Sequence, residues 1–261
     1  MTNSIEVQGL RKSYGDFSLR DINLTVPGGA IMGLIGENGA GKTTTIKCIL
    51  NLIRRDEGTI TLLGHDNQRE ERAAKLEIGV VLDECFFHDS LRPRDIDLIL
   101  SRIYQGWDSA LYQRYLSKFQ LPERKFVKEF SRGMKMKLSL AAALSHRPKL
   151  LILDEATAGL DPIVRDEILD EFLGFIQDDD HAILISSHIT SDLEKAADYI
   201  TYIHQGQVVL SDAKDRILDN YGRLACTAAQ LNSVAPDDLI RVRRSSYGCE
   251  GLVADRAAFR R

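Results

Sequence analysis

The segment Gly36-Glu37-Asn38-Gly39-Ala40-Gly41-Lys42-Thr43 constrains the fold of this 261-residue chain more than any other feature. It follows a short apolar run, Ile31–Ile35, and precedes a helical pattern over Lys42–Ile53. The glycines allow the backbone to curl so that several N–H groups point inward, and the following helix adds the positive end of its dipole. A strand, a glycine-rich loop, a lysine and a helix in this order predict an α/β core with a phosphate-binding loop.

The residue types of this loop predict a nucleotide site. Lys42 is expected to reach the β- and γ-phosphates of a nucleotide, and the hydroxyl of Thr43 is expected to hold Mg²⁺. The remaining candidate nucleotide-binding residues of the loop are Gly36, Glu37, Asn38, Gly39, Ala40, Gly41 and Thr44. The bland alternative is a glycine-rich turn before a helix, and the apolar strand and helix on either side argue against it.

A second phosphate-related motif follows much later in the chain. Four apolar residues, Leu150–Leu153, precede Asp154 and Glu155. A buried strand would deliver both carboxylates at its carboxyl end, where α/β sheets place their ligands. Asp154 is expected to hold Mg²⁺, directly or through water, and Glu155 to polarise the attacking water. Two acids at a strand end are common, so this interpretation depends on the combination with the phosphate loop.

The remaining patterns predict additional parts around this core. Alternating apolar residues before Pro27 and over Thr59–Leu63 predict antiparallel strands. The runs Leu150–Leu153 and Ala182–Ile185 lack alternation, as expected of parallel strands covered on both faces. Apolar residues at helical spacing predict a helical lobe over about 84–146, and a further helix is expected over Pro162–Gln177.

The last fifty residues differ in character from the rest. Ile240–Arg243 and Gly251–Ala254 flank a glycine-containing turn and predict a hairpin. We therefore expect a nucleotide-binding domain over residues 1–212 and a small C-terminal α+β accessory segment over residues 213–261.

Charge and cysteine content exclude several classes of protein. The formal net charge of −4 argues against a nucleic-acid binder, which would need a basic excess. The four cysteines show neither C-x-x-C spacing nor zinc-site spacing, which is typical of a reducing compartment. No run of about 18 apolar residues occurs, so any membrane role requires a partner.

With both phosphate motifs in place, residues 3–212 resemble the ATP-binding subunit of an ABC transporter. Between the two motifs, Phe130-Ser131-Arg132-Gly133-Met134 resembles the signature segment LSGGQ, which in this family contacts the γ-phosphate bound by the other protomer. The resemblance implies that the Ser131 hydroxyl and the Gly133 N–H bind ATP. The simpler alternative is that Ser131 only caps a helix.

Three smaller segments extend the resemblance. Ala158-Gly159-Leu160-Asp161 resembles the D-loop, which lines the dimer interface in the family. His188 follows the third apolar strand and resembles the switch histidine that contacts the γ-phosphate. Tyr14 resembles the aromatic residue that stacks on adenine, although a tyrosine in a loop often only packs.

Three positions depart from the family pattern. Asp83 stands where the family usually has a glutamine that contacts Mg²⁺; either Asp83 or Glu84 could serve, and alignment favours Asp83. Arg132 and Met134 replace the glycine and glutamine of the signature. These departures and the C-terminal segment resemble the drug and peptide exporter branch, which includes bacitracin-resistance-type ATPases.

The resemblance implies a P-loop NTPase of the ABC ATPase fold: a RecA-like mixed-sheet core, an antiparallel β edge and a helical lobe. It implies ATP and Mg²⁺ as cofactors and hydrolysis at two composite sites of a head-to-tail dimer, formed by two copies or with a paralogous ATPase subunit. Partners would be an integral membrane permease contacted through the helical lobe, at the cytoplasmic face of the membrane, and no nucleic acid.

Two other readings compete with this one. A soluble ABC ATPase without coupling to transport would share all of these motifs. A P-loop kinase would explain Lys42 and Asp154 but leave Ser131 and His188 without a role.

Overall fold

The structure is a computed structural model that describes residues 2–231, 234–235, 239–245, 248–253 and 256. The chain divides into two compact units, Met1–Ser211 and Asp212–Arg261. The first unit contains all the residues that the sequence assigns to phosphate chemistry. No helix in the described ranges has both the length and the apolar character needed to cross a membrane.

A six-stranded sheet forms the centre of the first unit, in the order β10-β9-β3-β8-β7-β6. Its strands are Ile31–Ile35 (β3), Ile78–Val81 (β6), Leu150–Asp154 (β7), Ala182–Ser187 (β8), Tyr199–His204 (β9) and Gln207–Ala213 (β10). The pairs β3–β8, β3–β9, β6–β7 and β7–β8 are parallel. The parallel strands predicted from the two apolar runs are thus β7 and β8.

Both faces of this sheet are covered, which explains why its strands lack polar alternation. In β7, Leu150 and Ile152 pack into one core, whereas Leu151 and Leu153 pack into the other. The same alternation of side chains recurs in β8. Each strand must therefore be apolar at every position, as in other sheets buried on both sides.

A second sheet covers the face of the central sheet on which Leu150 and Ile152 pack. It has the order β2-β1-β4-β5 with antiparallel pairing. Its strands are Asn3–Tyr14 (β1), Phe17–Pro27 (β2), Glu57–Leu62 (β4) and His65–Asp66 (β5). Its inward side chains share one hydrophobic core with β3 and with the helix after the phosphate loop. This sheet is the antiparallel edge expected from the sequence.

The helices of the first unit include the predicted helical lobe. They are Lys42–Ile49 (α1), Glu71–Leu76 (α2), Pro93–Ile103 (α3), Ser109–Lys118 (α4), Arg132–Leu144 (α5), Pro162–Phe175 (α6) and Thr190–Ala196 (α7), with a short 3₁₀ helix at Val127–Glu129. The lobe comprises α3, α4, α5 and the 3₁₀ helix. Tyr112 and Leu116 of α4 pack with α5 in the core that contains Leu151 and Leu153.

Three predicted boundaries were wrong by a few residues. The helix expected to reach Ile53 ends at Ile49, because Asn51 takes a left-handed conformation with φ 53°. The N–H of Leu52 then returns to the carbonyl of Lys47 at 2.9 Å, which closes the helix end. The helix expected to reach Gln177 ends at Phe175, and the strand expected to begin at Thr59 begins at Glu57 and ends at Leu62.

The second unit holds a three-stranded antiparallel sheet in the order β11-β13-β12. Its elements are Lys214–Asn220 (α8), Gly222–Cys226 (β11), Ala228–Leu231 (α9), Leu239–Ser245 (β12) and Gly248–Val253 (β13). Val242 pairs with Gly251, so β12 and β13 form the hairpin predicted for this region. Ala254, the last residue of the predicted hairpin, lies outside the described residues.

Candidate functional site

The register of the parallel strands brings both phosphate motifs to one edge of the central sheet. Ile35, at the end of β3, pairs with Ser187 of β8, and Asp154, at the end of β7, pairs with Ser186. The phosphate loop, the acidic pair and the segment carrying His188 therefore leave three adjacent strands at the same edge. This is the position at which α/β sheets bind ligands.

Two glycines hold the phosphate loop in its shape. Gly41 adopts φ 114° and forms the N-cap of α1, a conformation that a residue with a Cβ would occupy only under strain. Gly206, in the turn between β9 and β10, donates its N–H to Ala40 at 3.0 Å and accepts the N–H of Arg20 at 2.8 Å. The loop is thus fastened to the rest of the core by main-chain hydrogen bonds.

The ammonium group of Lys42 is enclosed by the loop. It donates to the carbonyl oxygen of Gly36 at 2.8 Å and lies 3.1 Å from Oε1 of Glu155. Only 5% of the side chain is exposed. The positive charge is therefore held at the base of the loop, where phosphate oxygens would replace some of these partners.

The two acids differ in environment. Asp154 is buried, and its Oδ1 accepts a hydrogen bond of 2.5 Å from the hydroxyl of Ser186. Glu155 has a left-handed backbone, with φ 53°, and its N–H is held by both the carbonyl and the hydroxyl of Ser186 at 3.1 and 3.0 Å. The surrounding bonds thus hold Glu155 in a conformation that costs about 1–3 kcal/mol for a residue other than glycine.

The Glu155 carboxylate connects the phosphate loop to the segment that carries His188. One oxygen contacts Lys42, and the other lies 2.6 Å from Nδ1 of His188, whose side chain is about half exposed. A carboxylate between a lysine and a histidine is placed to accept a proton from a nearby water once phosphate engages the lysine.

A cavity of about 470 Å³ joins these groups. Of the candidate site residues, it is lined by Glu37, Asn38, Gly39, Gly41, Lys42, Thr43, Thr44, Asp83, Glu155 and His188. Thr43 is exposed, so its hydroxyl is accessible at the start of α1. Glu84, the alternative to Asp83, instead lines a neighbouring cavity.

Oxygen ligands of this kind suit Mg²⁺. The ion is usually held by one or two carboxylates together with waters and substrate phosphates. The Thr43 hydroxyl and the Asp83 carboxylate line the cavity, whereas the Asp154 carboxylate is buried and does not line it. The oxygen chemistry of these three groups fits the ion.

Sequence reasoning missed one aromatic residue of the cavity. Phe17 lines the cavity, whereas Tyr14 is 47% exposed and has the Lys12 ammonium 5.1 Å from its ring centroid. The two aromatic residues are cross-strand partners in the β1–β2 hairpin, so their side chains share a face. A turn of only two residues, Gly15 and Asp16, separates them in the sequence. This short spacing could have indicated that Phe17 lies beside Tyr14.

Ser131, Gly133 and Asp161 stand at helix starts and do not line this cavity. The Ser131 hydroxyl caps α5 and accepts the N–H of Met134 at 3.3 Å, and Gly133 lies in the first turn of α5. Asp161 caps α6 and accepts the N–H of Val164 at 3.0 Å. In a single chain, Ser131 and Asp161 thus act as helix caps.

One signature residue does reach the cavity. The guanidinium group of Arg132 pairs with Oδ1 of Asp83 at 2.8 Å, and both side chains line the cavity. Two of the three residues that depart from the expected pattern, Asp83 and Arg132, are therefore in contact. Ala158, from the D-loop segment, also lines the cavity.

The sequence model of the family described as "ABC transporter" matches residues 19–158, more than half of the chain. The bacitracin transport ATP-binding protein BcrA of Enterococcus faecalis is 36% identical over 208 residues, which are 78% of this chain and 68% of that protein. The lantibiotic transport ATP-binding protein SrtF of Streptococcus pyogenes is 36% identical over 214 residues, 81% of this chain and 91% of that protein.

A solved structure described as the ATP-binding subunit of an ABC transporter superposes with a TM-score of 0.74 at 29% identity. The match covers 82% of this chain and 91% of that one.

Proposed function

The chain belongs to the ABC transporter family as an ATP-binding, ATP-hydrolysing subunit, and we propose that it powers export of a substrate across the cell membrane. Support for export comes from relatives at 36% identity that are named for bacitracin transport and for lantibiotic transport. A soluble ABC ATPase without coupling to transport is not favoured by these relatives.

The observation that carries the site assignment is the placement of Glu155 between Lys42 and His188 at the rim of the cavity. ATP would place its phosphates in the loop Gly36–Thr44, with the Lys42 ammonium on the β- and γ-phosphates. Glu155, released from Lys42, would polarise the attacking water, and His188 would contact the γ-phosphate. Tyr14 would stack on adenine, and Phe17 adds an apolar surface at the same end of the hairpin.

Mg²⁺ would be held by Thr43, Asp154 and Asp83. When bound, it neutralises charge on the phosphates. The Ser186 hydroxyl orients Asp154 through the bond of 2.5 Å, so the buried carboxylate is fixed before any ligand arrives. Pre-orientation of this kind lowers the cost of reorganisation during phosphoryl transfer.

Completion of the site requires a second protomer in this proposal. Ser131 and Gly133 lie at the N-terminus of α5, a 13-residue helix whose positive end suits an anion. Neither residue lines the phosphate cavity of its own protomer. In a head-to-tail dimer, both would therefore contact the γ-phosphate held by the partner. Asp161 and its neighbours would line the same interface, which would be formed by two copies or with a paralogous ATPase subunit.

The helical lobe is proposed to contact the membrane permease at the cytoplasmic face of the membrane. Phe86, which precedes α3, is 75% exposed, and Leu98 and Ile103 of α3 are 56% and 61% exposed. Ile99 is 42% exposed and lies four positions before Ile103, on the same face of α3, and exposed apolar patches are typical of protein–protein interfaces.

The test uses the Glu155→Gln variant with Mg·ATP. Loss of the general base should slow hydrolysis by about 10²- to 10⁴-fold and leave binding intact. On size-exclusion chromatography, the variant should elute as a dimer with ATP and as a monomer without it. Monomer under both conditions contradicts the head-to-tail dimer for this chain alone.

A tagged pull-down from detergent-solubilised native membranes tests the partner with the same variant. A stoichiometric multi-spanning protein supports the permease assignment. Recovery of soluble partners alone, with the ATPase in the cytosol, contradicts it.

A further inference from the structure

Arg132 connects three loops around the phosphate cavity. Its guanidinium group contacts Asp83 at 2.8 Å, and both side chains line the cavity together with Lys42 and Thr43. A Cβ built on Gly159 would lie only 3.1 Å from Nη1 of Arg132, so the guanidinium packs directly over the backbone of Gly159. One side chain of the signature segment thus meets both an acid at the cavity and the D-loop segment of its own chain.

The exposure of this ion pair to water makes the pair weak. Arg132 and Asp83 are 54% and 55% exposed, so their interaction is screened by water. Exposed pairs of this kind shift an equilibrium by only about 1.5- to 5-fold. The pair is therefore weak enough to exchange when a stronger ligand for the carboxylate enters the cavity.

A divalent cation is such a ligand. The Asp83 carboxylate can serve either the guanidinium or a cation bound at the cavity, because the Arg132 contact occupies one of its oxygens. While the pair is formed, the guanidinium of Arg132 offsets the negative charge of Asp83 in the cavity. Two of the three departures from the family pattern are thus coupled through one contact.

We propose that Arg132 is a positioning residue that competes with Mg²⁺ for Asp83 in its own protomer's cavity. The proposal rests on the nucleotide site of the proposed function and adds regulation of that site by the metal. Without Mg²⁺, Arg132 offsets the negative charge of Asp83 beside the phosphates of ATP; with Mg²⁺, it opposes the binding of the metal at Asp83.

The experiment measures equilibrium binding of a fluorescent ATP analogue, with Mg²⁺ and with EDTA, to the full-length chain. In Arg132→Gln, the affinity for the metal-free nucleotide should fall, because one cation leaves the cavity. The affinity for the Mg²⁺ complex should stay the same or rise, because Asp83 is free. The dissociation constant measured with EDTA, divided by the dissociation constant measured with Mg²⁺, should therefore rise by about 1.5- to 5-fold.

Three further variants separate this role from a structural one. Arg132→Lys keeps the charge and should restore the ratio toward that of the unmodified chain. Lys135→Gln removes the same charge from the same helix, but its partner is Asp89 at 3.2 Å and it does not line the phosphate cavity, so the ratio should stay unchanged. In an Asp83→Asn background, Arg132→Gln should lose most of its effect on the ratio.

Specific results would overturn the proposal. An unchanged ratio in Arg132→Gln, or an equal change in Lys135→Gln, contradicts a role for Arg132 at the metal. An effect that disappears at protein concentrations where the chain is monomeric assigns Arg132 to the nucleotide of a second copy and also overturns the proposal. Failure of the unmodified chain to bind the analogue better than Lys42→Met counts against the proposed function instead.

Discussion

Replacement of Ser186 by alanine tests how the fold fixes the acidic residue at the end of β7. Ser186 is fully buried; its hydroxyl donates to the Asp154 carboxylate at 2.5 Å and accepts the N–H of Glu155 at 3.0 Å. The alanine removes both bonds. The N–H of Glu155 keeps the carbonyl of residue 186 as an acceptor at 3.1 Å, so the main loss falls on Asp154.

The expected loss of stability follows from this single bond. A hydrogen bond to a charged group contributes about 1.5–3 kcal/mol, and a buried carboxylate has no water to replace it. We expect the free energy of unfolding to fall by about 2 kcal/mol. With a urea slope of about 2.5 kcal/mol per molar, the unfolding midpoint should fall by about 0.8 M, followed by far-UV circular dichroism.

Ser187→Ala provides the matched control. Ser187 is equally buried, but its hydroxyl accepts the N–H of Ile189 at 2.9 Å, a bond between neutral groups. Its loss should cost about 1 kcal/mol, or about 0.4 M in urea midpoint. If both variants unfold at the same urea concentration, the argument that the carboxylate gives the Ser186 bond its extra strength is wrong.

Three other substitutions test separate parts of the fold and site. Lys42→Met should weaken ATP binding about 10- to 150-fold, because charged hydrogen bonds to the phosphates are lost. Lys47 is an exposed residue of the same helix, so Lys47→Met should leave ATP binding unchanged. Isothermal titration calorimetry compares the two variants. Gly206→Ala would place a Cβ 2.0 Å from a carbonyl oxygen at φ 75°, and it should lower the melting temperature far more than Gly39→Ala, where φ is 81° and the space is open. Burial lowers the pKa of His146 below 6.5, so the unfolded chain binds the proton first on acidification, and stability is lost as the pH falls below about 6.5. Urea titrations from pH 7 to 5 should show a smaller loss in His146→Gln, and an equal loss would refute the assignment.

The sequence predicted those parts of the fold whose signals are local. The strands β7 and β8 could be read from continuous apolar runs, because each residue of a doubly covered strand is buried. The phosphate loop could be placed because its glycines and its lysine require a strand before them and a helix after them. Strands β6, β9 and β10 were not predicted, since their short runs become strands only by pairing with a sheet already present.

Contacts between distant segments could not be predicted from the sequence. Arg132 and Asp83 are 49 positions apart, and only the fold brings the signature segment to the cavity. The position of Phe17 in the cavity depends on the register of the β1–β2 hairpin. The early end of α1 depends on Asn51, a residue that tolerates the left-handed conformation but does not demand it.

The in-register ends of β3, β8 and β7 also limit how the length of the chain can vary. Insertion or deletion of one residue within β7 would move Asp154 about 3.3 Å along the strand and turn its side chain to the opposite face. Ser186 would then oppose Leu153 after an insertion or Glu155 after a deletion, and both hydrophobic cores would receive side chains that now pack on the other face. Length differences among related chains should therefore fall in the connecting loops and beyond residue 211, and almost never within these three strands.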